Sequence, residues 1–393
     1  MAAIFVPFLA LAGVGHVRPR TLTLWLAAAA ILCVGLGWYW IYRHAVESRY
    51  YYSTWFDFYP TLIGILFVTH ALVAAADADR RLIAGPAAYF DVSLRLVASV
   101  TFAGLFVGLL WAILWASAGL FDLIGIETVG ILIKRGWFWI PITTIAASTA
   151  FHLTDDRTGM VRNVVKLLLT SLSWLLLPTV AIGLAFLAAL PFTGLEPLWN
   201  TKHATSSLLS AAIVLILLIR CHYQDGEPDT GWARTLVYAR LLAVFILVPL
   251  VVLTGVGLGL RVEQHGWTPP RLAALACLIV VVCHAAGYSL VAIRSGGTLR
   301  GLASVNAVAA FVAVGLLIAL SSPIADPARL SVADQVSRLE TGKVAADQFD
   351  YTMLASWGVR YGKAALEHLK AKKDGPDASY IATQAAITLE NSY

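Results

Sequence analysis

Residues 261–271, RVEQHGWTPPR, form a short polar segment between two of the most apolar runs in the chain. VFILVPLVVLTGVGLGL precedes this segment at 244–260, and LAALACLIVVVCHAAGYSLVAI follows it at 272–293. Apolar runs of roughly 18 or more residues are typical of helices that cross a lipid bilayer. The segment is therefore predicted to be a turn at the membrane surface that joins two spanning helices.

The composition extends this prediction to the whole chain. Of its 393 residues, 59% are hydrophobic and 13% are charged, whereas a soluble domain carries about 25% charged residues to wet its surface. Nine runs are long enough, or nearly so, to cross a hydrocarbon core of roughly 30 Å. They are 21–42, 58–76, 96–121, 137–153, 167–191, 204–219, 236–260, 271–293 and 302–322. We predict an all-α, polytopic transmembrane helix bundle with about nine spans in the lipid bilayer.

The chain divides into three parts by composition. Residues 1–20 are an apolar segment that fits either a half-buried helix or a tenth, N-terminal span. Residues 21–322 form the transmembrane helical domain, and residues 323–393 form a small helical extramembrane tail. The tail is too short to bury a large core alone, so we expect it to pack on the membrane face or on a protein partner.

Helix signals in the tail can be placed more closely. The stretch SPIADPARLSVADQVSRLETG has an entry bounded by prolines, and Ser331 and Asp334 then have the spacing of a capping box. Val332, Val336 and Leu339 then share one helical face. The strings YTMLASWGVRYGKAALEHLKAKK and SYIATQAAITLE also have helical spacing, and a Gly-Pro break separates them.

Basic residues in the short loops predict the orientation. One set of alternate loops carries twelve Lys and Arg residues and the other set carries seven. Because cytoplasmic loops are enriched in Lys and Arg, the first set is predicted to face the cytoplasm. An odd number of spans then places the tail outside, in the periplasm of a Gram-negative host. Basic residues interleaved with aromatics in one patch do not occur, so nucleic acid is not a predicted partner.

Seven strings together resemble a known family. In chain order they are YPTLIGILF (59–67), LFDLIGIE (120–127), FHLTDDR (151–157), LPFTGLEPLW (190–199), YQDG (223–226), RVEQHGWTPPR (261–271) and FDYTMLASWGVRYGKAALEHL in the tail. The chain resembles the bacterial "domain of unknown function 4153" family from about residue 58 to about residue 370. The resemblance implies a protein of the bacterial inner membrane, and it implies no reaction.

Ionisable residues inside predicted spans are the strongest pointers to function, because they are costly in lipid and usually face a cavity or a partner. His70, Arg240 and His284 are such residues, and they are candidates for an intramembrane polar path. Each histidine is equally well explained as a packed group with an internal partner, since an unpaired imidazole is costly in hydrocarbon.

Two further clusters are candidate sites. His152, Asp155 and Asp156 at the cytoplasmic face could relay protons or hold a metal, although a helix end with a charge pair explains them better. Arg261, Glu263 and His265 could form a ligand-facing cluster in the outer loop, although a connecting turn is the favoured interpretation.

The sequence leaves three classes of function open. GxxxxGK[ST], HExxH, GxSxG and GxGxxG motifs are absent, which removes the commonest ATP-driven, zinc-protease, serine-hydrolase and dinucleotide-binding functions. A transporter or its membrane subunit, and a structural or signalling component that binds a partner through the tail, remain comparable. An intramembrane enzyme ranks third, because no arrangement of nucleophile and base is recognisable. No cofactor and no metal are predicted.

Overall fold

The computed structural model describes residues 2–44, 55–122, 127–156, 158–201, 203–223, 234–295, 301–375 and 377–392. Every regular element within those ranges is a helix. The helices are α1 Ala2–Gly13, α2 Pro19–His44, α3 Trp55–Asp79, α4 Pro86–Asp122, α5 Thr128–Ile133, α6 Gly136–Asp156, α7 Thr158–Ser173, α8 Leu176–Thr193, α9 Glu196–Asn200, α10 Ala204–Tyr223, α11 Arg234–His265, α12 Pro269–Arg294, α13 Leu302–Leu320, α14 Pro327–Glu340, α15 Tyr351–Trp357, α16 Val359–Lys370 and α17 Ala378–Ser392.

Eight helical segments in the described ranges are long and apolar enough to cross a membrane. They are Pro19–His44, Phe58–Asp79, Ala88–Gly119, Asn163–Thr193, Ala204–Tyr223, Thr235–His265, Pro269–Arg294 and Leu302–Leu320. The all-α, polytopic architecture predicted from the sequence is confirmed. The N-terminal helix α1 has only 12 residues, which is shorter than a span.

One predicted span is broken in the middle. The run at 167–191 consists of the end of α7 and most of α8, with a turn at Trp174 and Leu175 between them. Pro178 explains the break, because a proline has no N–H to donate to the carbonyl of Trp174 four residues earlier. The two helices together still provide the apolar length that a crossing needs.

Contacts between helix ends define a first face of the bundle, which we call the tail face. Arg43 at the end of α2 forms an ion pair with Asp326, just before α14, with 3.1 Å between Nη1 and Oδ1. Arg261 near the end of α11 donates to the backbone carbonyls of Trp199 and Thr201, between α8 and α10. The ends of α2, α8 and α11 and the start of the tail therefore lie together.

The far face lies at the opposite end of the same helices. Arg18 at the start of α2 pairs with Asp77 at the end of α3, with 2.8 Å between Nε and Oδ1. Val17, Ala84 and Val92 pack in one buried cluster there, which brings the start of α4 to this face. By their content of basic residues, the loops divide into two alternate sets. At the positions described here, loops of the two sets lie on opposite faces of the bundle.

The faces at which the neighbouring helices begin and end bear on the path of α6. The helix α4 begins at the far face and is 37 residues long, whereas α8 ends beside Trp199 on the tail face. From this order we expect the segment formed by α7 and α8 to begin at the far face, with α6 running back toward that face. It packs along α4, where Trp111 Nε1 donates to Thr143 Oγ1 over 3.1 Å. The run predicted at 137–153 is helical, but it is not among the eight helices of the described residues that are long and apolar enough to span, so a ninth crossing stays a prediction.

Two buried clusters hold the crossings together. The larger one joins α8, α10, α11 and α12 around Leu247 and Tyr288, which are fully buried. A second cluster joins α1, α2 and α3 around Trp25 and Ile65, with Leu317 of α13 packed against it. The helix α13 contacts both α12 and α3, so it connects the two halves of the bundle.

The tail is a small helical unit with its own core. Val332 and Leu339 are buried on one face of α14, as predicted, against Leu366 of α16 and Ile381 of α17. Two boundaries differ from the prediction. The helix α14 begins at Pro327, one turn before Ser331, and the run at 351–373 is broken at Gly358 into α15 and α16.

The predicted capping box is therefore wrong. Asp326 is the N-cap of α14, and its side chain accepts from the N–H of Ala328 over 2.9 Å. Pro327 occupies the first helical position, where its missing N–H costs nothing. This Asp-Pro start outcompetes the later signal, and it leaves the side chains of Ser331 and Asp334 free for other contacts.

Candidate functional site at the tail face

The polar segment at 261–271 is where the tail binds to the bundle. The last carbonyls of a helix have no partner within that helix, so each needs another donor. At the end of α11, Arg338 of the tail donates to the carbonyls of Glu263 and Gln264 over 3.1 and 3.0 Å. Gln335 donates to the carbonyl of His265 over 2.9 Å. The tail thus caps a spanning helix.

Further hydrogen bonds join α14 to the turn itself. The backbone N–H of Trp267 donates to Asp334 Oδ2 over 2.7 Å, and its carbonyl accepts from Ser331 over 2.9 Å. Arg271, at the start of α12, donates to the carbonyl of Gly266 over 2.6 Å. We use the name joint for the hydrogen bonds between residues 261–271 and α14. The cationic side chains in it also suit the negative end of the α11 dipole.

Gly266 makes the close approach of α14 possible. Its φ is +73°, a left-handed conformation that ends α11 and that glycine adopts without strain. A Cβ atom at this position would lie 2.5 Å from both Asp334 Oδ2 and Gln335 Nε2. It would also lie 2.7 Å from Arg338 Cδ. The turn therefore needs glycine for its backbone shape and for contact with the tail.

A second polar contact fixes the start of α14. The Asp326 carboxylate is fully buried, with a side-chain exposure of 0%. It accepts from Tyr39 Oη over 2.5 Å and from Arg43 over 3.1 Å. The hydroxyl of Tyr39 also lies 3.0 Å from that of Tyr361 on α16. A buried carboxylate is tolerated only with such partners, so this cluster ties the tail to α2.

The same end of α2 holds the tail through an aromatic contact. The guanidinium of Arg360 on α16 lies over the ring of Tyr42, 4.1 Å from its centroid, in a cation–π arrangement. The sequence did not identify Asp326, Tyr39 or Arg43 as site residues. The Asp-Pro pair at 326–327 was the only local signal, and it indicates a helix start rather than a partner.

One titratable group reports on the interior of the tail. Burial raises the pKa of Tyr351 to about 12, and the charges of Tyr380 and Asp377 act in the same direction. Its hydroxyl donates to the carbonyl of Ala346 over 3.3 Å. The neutral phenol is thus part of the tail core.

The predicted outer-loop cluster contributes to the joint mainly through its backbone. Arg261 turns its guanidinium toward the carbonyls of Trp199 and Thr201. Glu263 and His265 offer their carbonyls to the tail, and their side chains are exposed. Ligand binding by these three side chains stays a prediction.

His70 is buried between α1, α2 and α3. Its Nδ1 accepts from Trp25 Nε1 over 3.1 Å, and its ring also hydrogen bonds to the backbone of Ala12. The internal partner that burial of this imidazole requires is therefore Trp25, 45 residues away. The ring forms part of the wall of an apolar cavity of about 380 Å³ between α1, α3, α4 and α6.

His284 and Arg240 lie in the other half of the bundle. His284 Nδ1 lies 2.8 Å from the carbonyl of Val280, and its ring meets the Tyr288 ring edge-on at 5.4 Å. Arg240 is buried with its guanidinium 5.9 Å from the centroid of the Tyr223 ring. Among the contacts of the described residues, none joins His70, Arg240 and His284 to one another, so the polar path stays a prediction.

The cluster predicted at the cytoplasmic face is described only in part. His152 is exposed near the end of α6, and the side chains of Asp155 and Asp156 lie outside the described residues. In the described part of the chain, no group of three or more His, Cys, Asp or Glu side chains could hold a metal ion.

Comparisons with known proteins add no relative. No family model, no curated protein and no solved structure matches this chain significantly.

Proposed function

We propose that this protein is a structural or signalling component of the bacterial inner membrane, in which the tail binds a protein partner. The joint is the observation that carries this proposal. Because Arg338 and Gln335 supply the donors that cap α11, the tail cannot leave its position without uncapping a spanning helix. A partner that moves the tail would therefore change the end of α11, and the converse also holds.

The ionisable residues of the spans support this class over a transporter. A transporter needs polar groups along a continuous route, and such groups are costly in lipid unless they line that route or pair internally. His70 and His284 have neighbours within the protein, Trp25 and Val280 among them, that satisfy ring nitrogens. A transporter remains the second candidate, and the complementation experiment described below distinguishes the two.

Two further points belong to this proposal. The chain is a member of the "domain of unknown function 4153" family, and its tail lies outside, in the periplasm. The ordered strings of the sequence support the family, and the excess of basic residues in the opposite loops supports the position. Fusions of alkaline phosphatase and of green fluorescent protein after residue 393 test the position. Phosphatase activity is expected, and fluorescence from the second fusion would contradict it.

The function is tested by complementation of a deletion strain, scored by whichever growth defect that strain shows. Three variants are compared with the full chain: deletion of 323–393, His70→Ala and His284→Ala. A structural or signalling component should lose function without its tail and keep it with either histidine replaced. The reverse pattern, with all variants present in the membrane, would support the transporter and overturn the proposal.

A point variant makes the test finer than the deletion. Asp326→Asn removes the charge that pairs with Arg43, whereas Asp347→Asn removes an exposed charge elsewhere on the tail. The proposal predicts impaired complementation by the first variant and normal complementation by the second. Equal complementation by both, together with a functional deletion of the tail, would contradict it.

A further inference from the structure

The cavity beside His70 lies alongside the apolar helical segment Phe58–Asp79, which is long enough to cross a membrane. His70 is nine residues before the end of α3 at the far face, which corresponds to about 13 Å along a helix. Phe5 and Phe8 of α1, Phe67 of α3 and Gly104 of α4 form parts of its wall. A volume of about 380 Å³ is in the range of sites that bind small ligands.

The polar side chains in the wall already have partners. His70 is engaged by Trp25 and by the backbone of Ala12. Thr143 accepts from Trp111 Nε1 over 3.1 Å. The other wall residues are apolar. A buried water needs about two to four polar partners, and apolar cavities without them stay dry and accept apolar guests. The cavity therefore suits a hydrocarbon group and offers little to a polar one.

We propose that this cavity holds an acyl chain of a membrane phospholipid from the leaflet next to the far face. The exposed apolar face of α4, which carries Leu105 and Leu109, contacts acyl chains in a bilayer, and the cavity lies between α4 and the helices α1, α3 and α6. The acyl chain would fill space that no side chain fills, and it would supply the wall residues with the dispersion attraction that an empty cavity lacks. This inference does not depend on the tail or on the proposed function.

The experiment uses the full chain in nanodiscs of phosphatidylcholine that carries a diazirine near the end of one acyl chain. After illumination, mass spectrometry locates the labelled residues. We expect label on Phe67, which faces the cavity, in addition to label on lipid-exposed positions such as Leu105 and Leu109. Label on the exposed positions with none on Phe67 would mean surface lipid only and would overturn the proposal.

Two matched substitutions on α4 sharpen the test. Gly104 and Gly108 both have open space where a Cβ would lie, but only Gly104 belongs to the cavity wall. Gly104→Leu should fill the cavity and reduce label on Phe67 at least fivefold, whereas Gly108→Leu should not change it. Label at Leu109 serves as the control for folding and insertion in both variants. Equal labelling of Phe67 in the two variants would contradict the assignment.

A third arm distinguishes the source of the chain. A diazirine-bearing free fatty acid is added to nanodiscs of unlabelled phospholipid. The proposal predicts weaker label on Phe67 from the fatty acid than from the phospholipid at equal chain concentration. Label from the fatty acid alone would overturn the phospholipid assignment.

Discussion

The substitution Gly266→Ala is predicted to weaken the joint, because a Cβ at this position meets three side chains of α14. In Gly266→Ala, the new methyl group would occupy space held by Asp334, Gln335 and Arg338, with contacts of 2.5–2.7 Å. These atoms are the ends or stems of flexible side chains, so we expect them to swing away rather than the bundle to unfold. The hydrogen bonds to Trp267 and His265 would then be lost, and α14 would separate from the turn more often.

The magnitude follows from the bonds that are lost. A hydrogen bond to a charged group contributes about 1.5–3 kcal/mol and a neutral one about 0.5–1.5 kcal/mol. Asp334 and Gln335 are both half-buried, so the lower end of each range applies. This is about 1.5 kcal/mol for the bond between Asp334 and Trp267 and about 0.5 kcal/mol for the bond between Gln335 and His265. The sum is about 2 kcal/mol. Because about 1.4 kcal/mol is a factor of ten, detachment should become about 30-fold more frequent.

Gly194→Ala is the matched control. Gly194 also has a positive φ, +71° against +73°, and lies on the same face of the bundle, and its ψ of −178° is a conformation that is strained for any residue with a Cβ. Nothing lies within 4 Å of a Cβ built at Gly194, so this variant carries a large backbone strain at a positive φ but no clash with the tail. The difference between the variants therefore isolates the contact with the tail.

Hydrogen–deuterium exchange of the α14 amides in nanodiscs measures the effect. Where detachment limits exchange, Gly266→Ala should accelerate it about 30-fold, and Gly194→Ala should leave it at the rate of the unsubstituted chain. Unchanged exchange across α14 in a folded Gly266→Ala protein would refute the inference that the tail depends on the joint.

Three other predictions concern the tail. Asp326→Ala removes a buried carboxylate that accepts three hydrogen bonds and leaves the half-buried Arg43 without its partner, so it should lower the free energy of tail unfolding by about 3 kcal/mol, whereas the exposed Asp347→Ala should change it by less than about 0.5 kcal/mol. Equal thermal midpoints of the two variants would contradict this. Gly362→Ala drives a Cβ into the Leu354 carbonyl oxygen and should destabilise the tail by about 2–3 kcal/mol, seen as faster exchange in α15 and α16. Normal exchange there would show that these helices are further apart. Because the folded state keeps Tyr351 neutral up to a pKa of about 12, against about 10 when unfolded, tail stability should fall as the pH rises from 10 to 12. Tyr351→Phe should remove the part of this loss of stability that comes from ionisation of Tyr351. The same dependence of stability on pH between 10 and 12 in the variant and in the unsubstituted chain would contradict this prediction.

The spans could be predicted because their cause is local. Each apolar run is too hydrophobic for water and long enough for lipid, and these properties need no knowledge of distant residues. The connection at 261–271 was predictable for the same reason. Pro269 and Pro270 start α12, and Thr268 occupies its N-cap position, although its side chain makes no capping hydrogen bond.

The partner of the polar segment could not be predicted from local sequence. The bonds of the joint link residues 64 to 75 positions apart, and no periodicity encodes such a pairing. The spacing of Ser331 and Asp334 was misleading, because it also fits two groups on one helix face that bind a neighbouring turn. His70 shows the same limit, since burial required a partner but could not indicate Trp25.

The break between α7 and α8 had a visible signal. Pro178 lies inside the predicted run, and a proline within a helix removes a hydrogen bond to the residue four positions earlier. The apolar character of 167–191 outweighed that signal in the prediction. Hydropathy measures whether a segment belongs in lipid, and it does not measure whether the backbone of that segment is continuous.

Disulfide formation across the joint tests the central claim most directly. Cysteines replace Gly266 and Asp334 in a chain whose four native cysteines have been changed to alanine, and membranes are treated with a mild oxidant. A Cβ at 266 lies 2.5 Å from the place of Asp334 Oδ2, and Asp334→Cys removes that oxygen, so the two sulfurs come within bonding reach whenever α14 is attached and the pair should be oxidised in high yield even though the substitutions weaken the joint. A cysteine pair at 266 and the exposed position 347 should react far more slowly. Similar rates for both pairs would mean that the tail is not bound to this turn.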